Sequence, residues 1–99
     1  MPKYLTIVYD EEFGALPSFS DESGTYERIG NEYKAVDHKP MDEKIPLYMI
    51  LCFDANYGVF TAFAENYQAA YDYWKDLGCA GYDVEVYERT TGLFKFLYS

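Results

Sequence analysis

A chain of 99 residues with 20% aromatic side chains can bury one core and is too short for two, and that much large apolar surface excludes disorder. Its formal charge of −9, from 17 acids against 8 Lys and Arg, repels DNA, RNA and anionic membranes. Direct nucleic-acid binding and membrane association are therefore set aside, and basic protein surfaces become the favoured partners.

In chain order, residues 3–9 (KYLTIVY) are β-branched and aromatic and predict a first strand. Residues 10–25 show no hydrophobic period. They hold Asp10, Glu11, Glu12, Asp21 and Glu22 around Phe13, Leu16 and Phe19, with Gly14, Pro17 and Gly24 between. This predicts a long acidic loop, a feature that in a compact domain usually carries function. Residues 25–36 place Gly30-Asn31 between two polar-aromatic arms. A hairpin there sets Glu27 opposite Lys34 and Arg28 opposite Tyr33.

Residues 37–46 contain two prolines and mixed charge and read as a connection. Residues 47–53 (LYMILCF) are apolar on both faces and predict a central strand. The apolar run containing them falls far short of the roughly 20 residues that a membrane span needs. Residues 54–58 have turn chemistry, and 59–64 return as a strand with Val59, Thr61 and Phe63 on one face. A helix follows over 66–77. Asn66 is its expected N-cap, Gly78 its expected terminator, and Tyr67, Ala70, Tyr71, Trp74 and Leu77 its apolar stripe. Residues 82–89 alternate cleanly, and the last strand sets Phe94, Phe96 and Tyr98 on one side. Together these predict a single α+β domain over residues 1–99. It would hold an antiparallel sheet of about four to six strands, with one helix on one face and a C-terminal ββαββ order.

No constellation of catalytic residues emerges. The single histidine, His38, lies in a predicted loop. Cys52 falls inside an apolar strand, and Cys79 follows a helix C-terminus, where the dipole disfavours a thiolate. One His and two distant Cys make no zinc motif. The contiguous acids at 10–12 lack the alternate spacing of a calcium loop. The glycines of GCAGYD precede a strand, whereas phosphate-binding glycines follow one. No cofactor and no metal is expected. The N-terminus lacks the apolar core of a secretory signal, and the cysteines form no framework, so a cytoplasmic protein is expected.

Surface remains. The expected function is a non-enzymatic acidic interaction protein that occupies a basic site on a protein partner. Asp10, Glu11, Glu12, Phe13, Asp21 and Glu22 would form the contact: aromatic anchors supply area and charge steers approach. By size and charge alone the analogy is to phage- or mobile-element-type inhibitors that imitate nucleic acid on a nucleic-acid-binding protein. The alternatives are a small-ligand binder or enzyme with a pocket near Tyr67, Tyr71, Trp74 and His38, and a plain homodimer or larger homo-oligomer.

Overall fold

The computed structural model describes residues 3–10, 12, 14–22, 26–35, 46–56, 58–90 and 93–99. Among these are eight strands and one helix: β1 (Tyr4–Asp10), β2 (Gly14–Ser20), β3 (Tyr26–Ile29), β4 (Glu32–Ala35), β5 (Tyr48–Asp54), β6 (Gly58–Ala64), α1 (Tyr67–Cys79), β7 (Asp83–Thr90) and β8 (Leu93–Tyr98). The strands form one sheet in the order β2-β1-β3-β4-β8-β7-β5-β6, and each neighbouring pair is antiparallel. The two outermost strands, β2 and β6, come back into contact, so the sheet is a nearly closed barrel.

This overturns the expected α+β sheet of four to six strands with a helix on one face. The sequence signals neither all eight strands nor the curl that brings the edges of the sheet together. The expected loop at 10–25 also gives way, because residues 14–20 pair with β1 along its whole length, from Tyr4↔Ser20 to Asp10↔Gly14. No period marked this strand because Pro17 and four small residues, Gly14, Ala15, Ser18 and Ser20, supply little apolar signal. Its position at the edge of the sheet accommodates Pro17, which lacks a backbone donor. The expected turn at Gly30-Asn31 is present. Gly30 has φ +61°, and Glu27 pairs with Lys34 and Arg28 with Tyr33.

The barrel interior is aromatic. Leu5, Tyr26, Tyr33, Met49, Leu51, Tyr87 and Phe94 are fully or almost fully buried there, with Phe19, Phe53, Phe63 and Phe96 packed around them. Edge contacts link the rings: Tyr26 to Phe94 at 6.0 Å and Tyr87 to Phe96 at 5.7 Å between centroids. A second cluster lies outside the barrel, where α1 covers β5, β6 and β7. Ala69, Ala70, Trp74 and Leu77 pack on Tyr48, Ile50, Cys52, Val84 and Val86. Strand β5 is thus buried on both sides, and each such Ile or Leu contributes about 1.5–3 kcal/mol by leaving water. Tyr67 and Tyr71, expected in the buried helix stripe, remain partly exposed at its edge.

Two local signals act elsewhere than the sequence suggests. At the helix start Asn66 Oδ1 accepts from Ala69 N at 2.9 Å, as a cap should. At the end α1 runs through Gly78, and Gly81 (φ +93°) takes the left-handed position instead. Gly81 N donates to Gly78 O and Tyr82 N to Leu77 O, the paired bonds of a Schellman terminus. In β8, Tyr87 pairs with Phe96 but Val86 pairs with Tyr98, so Leu97 is an extra residue. That bulge turns Tyr98 out of the barrel, away from the side of Phe94 and Phe96. Its ring meets Trp74 edge-on at 5.3 Å.

Candidate functional site

Since every neighbouring pair is antiparallel, one end of the barrel collects the last residues of β2, β3, β5 and β8 and the first of β1, β4, β6 and β7. The turns at Asp21-Glu22, Gly30-Asn31 and Asp54-Asn56 gather there, with Asp83 and the C-terminal end of α1. Asp21, Glu22 and Asp83 are exposed.

Just inside this end lies a polar network on strands that alternate otherwise with aromatics. Arg28 projects inward from β3. Its Nε donates to Gly30 O (3.1 Å) and its Nη1 to Tyr33 Oη (3.2 Å), while Nη2 stands 3.6 Å from Glu85 Oε2. The guanidinium also lies over the Tyr33 ring, 5.5 Å from its centroid. Tyr87 donates to the same Glu85 oxygen at 2.6 Å. Arg28 and Glu85 are 14% and 17% exposed, so water screens this pair little.

The network fixes protonation. Burial pushes the Tyr87 hydroxyl well up, and its hydrogen bond to Glu85 and the charge of that carboxylate add to the shift. Burial raises Tyr33 likewise, against the opposing hydrogen bond and charge of Arg28. Burial alone would lower Arg28, but the hydrogen bond to Tyr33 and the charges of Tyr87, Tyr33 and Glu85 outweigh it, and the net direction is up. The group is an ion pair beside two phenols whose protons burial holds on. That arrangement suits holding the barrel end in shape better than moving a proton.

A cleft of about 870 Å³ opens beside the network, between the second half of α1 and the start of β7. Phe53, Trp74, Lys75, Gly78, Cys79, Tyr82, Asp83, Val84, Glu85 and Ser99 line it. Cys79 is an exposed free thiol. Cys52 is buried and free, with its thiol pushed up by burial and further by Asp54 and Asp83. Among the described residues no three His, Cys, Asp or Glu side chains gather as a metal site, and no helix is long and apolar enough to cross a membrane.

The hairpin β1–β2 divides the acids expected to act together. Asp10 ends β1 and Glu12 sits exposed in the turn after it, while Asp21 and Glu22 follow β2 at the opposite end of the hairpin. Seven paired residues separate the two groups by roughly 20 Å. Glu11, Phe13 and His38 lie outside the described residues, as does the side chain of Asp10. The expected pocket near Tyr67 and Tyr71 is displaced along the helix: Trp74 lines the cleft, and those two tyrosines do not. Sequence reasoning missed Arg28 and Glu85 as partners. A signal was present, since both share a strand face with residues of a buried type, Tyr26 and Tyr87, but nothing in the sequence says the two faces meet.

No protein-family model matches this chain, and neither the curated proteins nor the solved structures yield a match.

Proposed function

We propose that this chain is a non-enzymatic, cytoplasmic interaction protein that sets the acidic end of its barrel on a basic protein surface, such as one that otherwise holds nucleic acid. One observation carries the reading. Exposed Asp21, Glu22 and Asp83 project at the same end, where Arg28 is turned inward and engaged by Glu85. The ion pair consumes a cation that would otherwise offset those carboxylates. With a net charge of −9 behind it, this end attracts a cationic partner and repels a nucleic acid. Of the six residues expected from the sequence to form the contact, this reading retains Asp21 and Glu22.

The test is capture of partners from a lysate at physiological salt, repeated with the double variant Asp21→Lys and Glu22→Lys. Partner affinity should fall at least tenfold, steeply with added salt, while Tm stays within a degree or two. A basic partner held equally well by the charge-reversed variant would refute the reading.

A further inference from the structure

We propose that the cleft between α1 and β7 receives the guanidinium end of an arginine side chain, presented by the basic partner inferred above, on which this proposal rests. Three features point to that chemistry. First, the cleft pairs ring surface with carboxylates: Trp74, Tyr82 and Phe53 line it together with Asp83 and Glu85. An aromatic wall beside an acid is the environment that holds a guanidinium or ammonium on an apolar stem, by cation–π attraction and charge-assisted hydrogen bonding.

Second, the charges already present leave room for a further cation. Glu85 is tied to Arg28 and Tyr87 on its barrel side, both through Oε2, and is also among the residues that line the cleft. Asp83 is exposed, and among the described residues it enters no ion pair. Lys75 is the one cation lining the cleft, and it stands between Asp72 and Asp76 in the helix sequence. The local balance stays negative.

Third, the lining includes a glycine that the backbone does not require. Gly78 sits inside α1 with ordinary helical geometry, where alanine would favour the helix by about 1 kcal/mol. A Cβ built on it would meet nothing within 4 Å. A side chain at 78 would enter free space next to the cleft.

Trp74 is the sole tryptophan, so its fluorescence reports on the cleft directly. The titrants, at constant ionic strength, are acetyl-argininamide, its neutral isostere acetyl-citrullinamide, and the free amine agmatine. The expected result is a saturable change with acetyl-argininamide and none with the citrulline compound. Asp83→Asn should weaken that binding about tenfold, and Lys75→Gln should tighten it. Gly78→Leu should abolish it with Tm unchanged or raised. The absence of saturation by acetyl-argininamide, or equal saturation by both amides, would overturn the proposal. So would a Lys75→Gln variant that binds the cation more weakly. Saturation by agmatine alone would assign the cleft to a free amine and overturn the side-chain assignment. Failure here leaves the function above distinguishable. If partner capture still depends on Asp21 and Glu22, only the cleft is wrongly assigned. If it does not, the underlying reading falls as well.

Discussion

The two wings of the barrel share one interior but have opposite exteriors. In the wing β5–β8, helix α1 covers the outside, so β5 has Met49 and Leu51 inward and Ile50 and Cys52 outward, all fully buried. In the wing β1–β4 the outside faces water: Val8 is 56% and Ile29 54% exposed, and Val8 lies directly opposite the exposed Leu16. A hydrophobic residue on an outer face is thus part of the core in one wing and nearly idle in the other. The type of residue does not decide its energetic weight; the layer above it does.

The strongest way to break this contrast is truncation of matched outer residues. Ile50→Ala should cost about 2–5 kcal/mol, since it opens a cavity beneath α1, whereas Leu16→Ala should stay within about 0.5 kcal/mol. Thermal or urea unfolding of the two variants measures the difference, and equal losses would mean that the outer face of β1–β2 is covered in solution.

The next effect concerns what ties the wings together. Arg28 on β3 reaches Glu85 on β7 across the interior, and Arg28→Ala leaves a poorly hydrated carboxylate behind. A loss of about 2–3 kcal/mol is expected. The double variant with Glu85→Gln should recover part of it, a coupling that a double-mutant cycle in chemical denaturation measures.

These two cases also show how far the sequence could be read. Strand β5 was legible because two buried faces leave a continuous apolar run, and the Gly30-Asn31 hairpin because opposite charges meet across it. Strand β2 was illegible because its existence depends on β1 rather than on its own side chains. The inward role of Glu85 was illegible because alternation assigns residues to a face without showing what that face meets. Tyr98 changed sides because the bulge at Leu97 shifts the alternation by one residue. Of the candidate site, the exposed acids were legible; the inward ion pair and the cleft, which need distant strands brought together, were not.

A smaller effect appears at alkaline pH. The ordinary tyrosine value is 10.0, and burial with the Glu85 bond raises that of Tyr87 in the folded chain. The folded state therefore keeps a proton that the unfolded state gives up. This contribution is complete below pH 10 and disappears as pH rises through the folded value. Tm should fall above pH 10, and Tyr87→Phe should fall less steeply. Parallel curves for the two proteins would show that Tyr87 carries no linked proton.

The smallest expected effect isolates the helix cover. Asn66→Ala removes the acceptor for Ala69 N and should cost about 1 kcal/mol. Hydrogen exchange should quicken in α1 and under it on β5, with β1 and β2 little changed.

The pairing of β4 with β8 bears on how quickly the chain folds. Strands within each wing find one another over short stretches of chain, as β1 with β2, β3 with β4 and β5 with β6. On the ladder that joins the wings Glu32 meets Lys95 and Tyr33 meets Phe94, the paired residues farthest apart in the sequence. Closing so long a segment costs entropy before it gains contacts, so this junction should set the refolding rate. In stopped-flow experiments Phe94→Leu should slow refolding, whereas Ala69→Gly, in the helix outside the barrel, should mainly speed unfolding.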